Sequence, residues 1–254
     1  MILLNILIYT LLLYGIQELI RRFQVIGWSS LLFIPPILIP WWRSHYGPVG
    51  WFEWAKISSV WLGVFWGMAC RFSRIGQKKW ALFLLYIILL VNITEALIKG
   101  LNYGIPGYLL GISALLINIT LPGLNSITIN TKSPYRDLSW NISQLWIIGY
   151  TIWNIGFVYV YLPESVGIHT AVLGAAFIAG LINHKLWVQA RVFTLGAHLV
   201  ISALFAPFLA KTMGTPEIVH PTIALFIGFV SLVWMTAYSV LKLYKYMEKR
   251  KPQY

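Results

Sequence analysis

The chain has 254 residues, is 59% hydrophobic and only 10% charged, and has a mean hydropathy of +0.74. One soluble core cannot hide that much apolar surface, so a wholly soluble globular protein is excluded and lipid is the expected solvent. The net charge of +12 would point to nucleic acid in a soluble domain, but no basic, aromatic-interleaved soluble segment is present, and nucleic acid is set aside as a partner.

Crossing a bilayer takes about 20 apolar residues. Nine runs qualify: 2–20, 25–42, 51–70, 80–98, 107–124, 142–162, 165–183, 187–209 and 220–243. The first has no basic stretch before it and no cleavage site after it. It reads as a first transmembrane helix with its N-terminus outside. The second holds Pro35, Pro36 and Pro40 and is expected to kink or break. Trp41, Trp42, Trp51 and Trp54 cluster at one boundary, as an interfacial aromatic belt does.

The third run begins with Glu53 and Lys56, three apart on one face. They form either a snorkelling surface pair or part of an outward-facing cavity. Gly63 and Gly67 make a small-xxx-small pair that would let another helix approach. The fourth run aligns Asn92, Glu95 and Lys99 on one face. Glu95 is either half of a structural ion pair or a ligand-binding acid. The fifth run is short and follows Pro106, and the longest loop, Asn125 to Trp140, comes after it.

The sixth run carries Trp146, Tyr150, Trp153, Asn154 and Phe157 on one broad face. A buried Asn commonly bonds a neighbouring helix. An aromatic-walled pocket with Asn154 at its base is the alternative. The eighth run opens with Gln189, and a polar stripe of Arg191, Thr194, His198 and Ser202 follows. Interhelical packing and a proton relay both fit that stripe. His169 and His220 lie near the outer ends of the seventh and ninth runs. No HxxxH or HExxH spacing is present, so no metal site is expected. Cys70 is the single cysteine, which excludes an intrachain disulfide.

The basic residues give the orientation. All but Arg43, Lys56, Lys99 and Lys211 fall in alternate gaps or the C-terminal tail. Basic loops stay on the cytoplasmic side. The expectation is therefore an all-α polytopic bundle over residues 1–254, with the N-terminus outside and the C-terminus cytoplasmic.

The strings WFEWAKISSVWLG, NITEALI, YTIWNIGFVY, KLWVQARVFTL and HPTIALF resemble an uncharacterised bacterial multi-pass membrane family, domain-of-unknown-function family 5692. The matching positions include Trp54, Lys56, Asn92, Glu95, Asn118, Trp153 and Asn154. Gln189, Arg191 and His220 match as well. His198 departs from the family pattern, where an aromatic stands, and this counts against the proton relay. The resemblance implies a prokaryotic cytoplasmic-membrane protein and brings no activity with it.

The leading expectation is a small-molecule or ion transporter or channel with an outward-facing polar cavity. Glu53, Lys56, Asn92, Glu95, Trp153, Asn154 and His220 are the ligand or ion candidates, and Gln189 and Arg191 form the cytoplasmic mouth. The rivals are an intramembrane enzyme on a lipid or isoprenoid, with Glu95 and His220 as acid and base, and a chromophore- or ligand-binding receptor using Lys56. No catalytic residue, metal or cofactor is expected. Expected partners are membrane lipid, a small substrate and a second copy of the chain.

Overall fold

The computed structural model describes residues 1–29, 38, 40 and 51–248, with residues 51–56 by backbone alone. Most of the predicted run 25–42 lies outside the described residues, and so do the side chains of Glu53, Lys56 and the four belt tryptophans. Among the described residues the long helices are α1 (Ile2–Arg22), α2 (Trp51–Phe72), α3 (Lys79–Gly100), α4 (Gly104–Thr120), α5 (Gln144–Tyr161), α6 (Val166–Ile182), α7 (Trp187–Met213) and α8 (Pro221–Glu248).

Local chemistry sets their ends. α1 runs without Pro and closes on Arg21 and Arg22, cations suited to the negative end of the helix dipole. α3 and α4 are joined by a three-residue turn, and Gly104 takes φ +64, a conformation only glycine adopts freely. The pair then folds back closely: a Cβ at Gly107 would overlap the Gly100 carbonyl. α5 is capped by the Ser143 hydroxyl, which accepts from the Trp146 amide at 3.3 Å. It stops before Pro163. Inside α7, Pro207 removes a backbone donor, and Phe205 leaves helical geometry at φ −129, ψ 25. This kink is in the eighth predicted run, where none was expected.

Among the described residues the fold is all-α apart from one small sheet. The longest loop, Asn125 to Trp140, holds an antiparallel hairpin of β1 (Ile127–Ile129) and β2 (Leu138–Trp140), with Ile127 opposite Trp140. Ile127, Leu138 and Trp140 turn inward and are buried. Two three-residue strands alternating apolar and polar are enough to seat it against the helix ends.

Among the described residues five helical stretches are long and apolar enough to cross a membrane: Ile2–Arg22, Lys79–Thr120, Pro163–Ile182, His184–Met213 and Pro221–Glu248. That is fewer than the nine predicted runs. Lys79–Thr120 joins two of them across the Gly104 turn. α5 is diluted by Gln144, Asn154 and its tyrosines, and only Ile57–Phe72 of α2 qualifies as a shorter apolar helix. Large apolar side chains line the outside, among them Leu7, Ile8 and Leu11 on α1 and Phe226, Phe229 and Val233 on α8. Such faces suit a lipid surround.

Inside, α1 packs on α6 and α7, while α4, α5 and α8 form a second group, with α2 and α3 alongside. Trp146 and Trp153, seven residues apart on α5, donate their indole N–H groups to the carbonyls of Ile117 and Leu110, also seven apart on antiparallel α4, at 3.2 and 3.0 Å. Among the described residues no close helix approach falls on the α2 glycines: a Cβ at Gly63 would lie 3.9 Å from Ile88, an ordinary contact, and one at Gly67 would meet nothing within 4 Å. The tight approach falls on α7 instead, where a Cβ at Gly196 would lie 2.7 Å from Val64.

Candidate functional site

The helix ends sort into two sides. On one side the hairpin meets the C-terminal end of α1, the end of α2 and the start of α7. Arg21 holds Asp137 in a two-pronged pair, Nε to Oδ1 at 2.8 Å and Nη2 to Oδ2 at 2.9 Å. Its Nη1 also donates to Glu18 at 3.0 Å. Arg71, fully buried, donates to the carbonyls of Arg21 at 2.7 Å, Tyr135 at 2.8 Å and Arg136 at 3.3 Å. Gln189 completes the clamp: its Oε1 accepts from the Leu138 amide at 2.8 Å and its Nε2 donates to Asp137 at 3.2 Å. Gln189 is thus a fastener for the hairpin.

Burial opposes ionisation of Asp137. The hydrogen bonds from Arg21 and Gln189, with the charges of Arg21 and Arg71, outweigh it and hold the carboxyl below its ordinary value of 3.8. A lowered folded-state value means that the stabilisation is complete above the ordinary value. It is lost as pH falls through the lowered one. Thermal melts in detergent should therefore show an acid limb in the native protein that Asp137→Asn flattens. An unchanged limb in the variant would remove Asp137 as its source.

Between the two sides lies a cavity of about 270 Å³ bordered by α2, α3, α5, α6 and α7. α3 contributes Asn92, Glu95 and Lys99; α5 contributes Tyr150, Trp153, Asn154, Phe157 and Tyr161; α6 contributes His169; and α7 contributes Arg191, Leu195, His198 and Ser202. From Arg191 to Ser202 is eleven residues, or about 16 Å along a helix. A smaller cavity of about 90 Å³ continues towards the hairpin and shares Val60, Asn92, Tyr150, Arg191 and Leu195 with the first. It ends against buried Trp187 and Val188.

Five of the predicted site residues, Asn92, Glu95, Trp153, Asn154 and Arg191, therefore border one space. His220 does not: it is exposed at the start of α8, and its backbone N–H donates to Tyr159 Oη at 2.9 Å. The proposed acid–base pair of Glu95 and His220 is not brought together in this cavity. Glu53 and Lys56 have no described side chains. Arg191, expected at a mouth, instead sits where the two cavities join.

The walls are chemically mixed. The α5 rings form a continuous ladder: Trp153 stacks on Phe157 with centroids 6.2 Å apart, and Phe157 on Tyr161 at 5.5 Å. Asn154 Nδ2 donates to Tyr150 Oη at 3.3 Å, a bond within its own helix. At the end away from the hairpin, Lys99 Nζ donates to Tyr161 Oη at 2.7 Å. On the opposite wall His198 Nδ1 lies 3.0 Å from Tyr9 Oη, and the His169 and His198 rings meet edge-on at 5.7 Å. Among the described residues no three His, Cys, Asp or Glu side chains gather to hold a metal ion. Arg191 Nε and Nη1 are buried without a hydrogen-bond partner among the described residues.

Sequence spacing does not place His169 at the cavity or Tyr9 behind His198, because α6 and α1 reach this region only through tertiary packing. Asp137 and Arg71 had a readable signal: the chain's one aspartate stands in a basic loop.

The chain matches no curated protein and no solved structure. The family of unknown function DUF5692 matches residues 1–108 and 102–254, which together span the whole chain. The chain belongs to that family of unknown function.

Proposed function

We propose that this is a multi-pass protein of the prokaryotic cytoplasmic membrane that carries a small molecule or ion through the central cavity. The proposed topology has nine spans, with the N-terminus outside and the hairpin and C-terminus in the cytoplasm. Basic side chains at the hairpin side support that orientation. The observation that carries the reading is the cavity itself. It holds Glu95, Asn154, Arg191 and two histidines between spanning helices, where polar groups are costly unless they have a role. It reaches Lys99, Tyr161 and Leu162 near the ends of α3 and α5, and the clamped hairpin lies beyond its other end. That layout supports the reading of an outward-facing state.

A second reading has one observation in its favour. Glu95, His169 and His198 border the same space, a set that suits acid–base chemistry on a lipid.

Thiol labelling separates the two. Cys70 is the sole cysteine and is buried, so Cys70→Ala gives a silent background. On it, Ser202→Cys in right-side-out vesicles should react with an impermeant sulfonate thiol reagent added outside. Leu209→Cys, in the packed α1–α6–α7 core, should not. Reaction of Ser202→Cys only with a lipid-soluble maleimide would favour the enzyme. No reaction with either reagent before unfolding would end both readings.

A further inference from the structure

Among the described residues that border the cavity the charges do not balance: there is one acid, Glu95, and there are two bases, Lys99 and Arg191. Glu95 and Lys99 are four apart on α3, on one face and of opposite sign, so that wall is neutral in sum. Lys99 is further held by the Tyr161 hydroxyl and lies 4.8 Å over its ring. Arg191 stands on the other wall, with two buried nitrogens that find no acceptor among the described residues. A guanidinium cannot shed its proton to escape this, as a lysine can. A buried charge left without a partner is strongly unfavourable, and an anion brought to it removes the penalty.

The remaining surface describes the rest of the ligand. Beside Arg191 runs the α5 ladder of Tyr150, Trp153 and Phe157, faced by Leu195 and Leu199 of α7. The space, about 270 Å³, is at the small end of small-molecule pockets. A hydrated inorganic ion would leave the aromatic wall unused, and a dianion would exceed the one charge left uncompensated among the described residues.

We infer that the cavity binds a small organic monocarboxylate with a flat apolar body, its carboxylate at Arg191 and its body along the α5 rings. The inference rests on the cavity being a small-molecule site, as proposed above.

The test uses the full-length protein purified in detergent, with benzoate as the probe. Benzylammonium, of the same shape and opposite charge, and inorganic phosphate and chloride, which lack the apolar body, serve as comparisons. Benzoate should raise the melting temperature in a dose-dependent way and slow labelling of Ser202→Cys. None of the three comparison ions should do so at equal ionic strength. Arg191→Gln should weaken benzoate binding about thirtyfold or more, whereas Arg191→Lys should retain most of it. Protection by benzylammonium equal to that by benzoate would overturn the inference. So would protection by phosphate or chloride alone, or no effect of benzoate on the native protein. These comparisons need no variant at position 191 to fold. If Ser202→Cys is labelled from water but benzoate does nothing, the ligand class fails and the transport reading stands. If Ser202→Cys is never reached, the transport reading fails first.

Discussion

Replacing Asp137 by alanine is expected to lower stability by about 3–5 kcal/mol, the range for breaking a buried ion pair from one side. The carboxylate receives both prongs of Arg21 and the amide of Gln189. It is 7% exposed, and Arg71 beside the hairpin is 0% exposed. Alanine would leave Arg21 without its main partner and Gln189 Nε2 without an acceptor. Asp137→Asn, which keeps the shape but loses the charge, should cost less. Chemical unfolding in detergent measures the difference. Hydrogen exchange should localise it, with Ile127 to Trp140 losing protection before the helices do. A loss below about 1 kcal/mol, or uniform loss of protection, would mean that the clamp does not hold the hairpin.

Trp153→Ala should be comparably severe, about 3–5 kcal/mol, as for other large aromatic truncations in a core. Its ring is 1% exposed, and its N–H is engaged by the Leu110 carbonyl. Trp153→Phe keeps most of the packing and loses only that bond, for about 1 kcal/mol. Trp146→Phe, with the equivalent bond to Ile117, should match it. The two phenylalanine variants should differ in ligand binding, because Trp153 borders the cavity and Trp146 does not. Equal effects on binding would assign Trp153 to packing alone.

The helices were readable because spans of about twenty apolar residues leave few alternatives. The run 80–98 became Lys79–Gly100, and 165–183 became Val166–Ile182. The face shared by Asn92, Glu95 and Lys99 was also readable, since helical spacing alone places them together. What could not be read was which helices meet. Tyr9 reaches His198 across 189 residues of chain, and no periodicity encodes that pairing. In sequence His220 reads as a neighbour of Glu95 because both lie near helix ends on one side. Ends on one side can still face different neighbours, and His220 sits beside Tyr159. The hairpin escaped because its strands have three residues each, too short for alternation to stand out. Being two apart in sequence, Gln189 and Arg191 read as one mouth. Two positions on a helix are about 200° apart in direction, so one side chain fastens the hairpin and the other meets the cavity.

The central claim is a polar cavity between α3, α5 and α7 in which Arg191 Nε and Nη1 find no partner among the described residues. A cryo-electron microscopy map of the protein in lipid nanodiscs tests it directly. The account predicts an open space bordered by Glu95, Asn154 and Arg191, filled by water or a small non-protein density beside the guanidinium. Helices closed upon one another, with Arg191 ion-paired to Glu95 and no space between them, would contradict it.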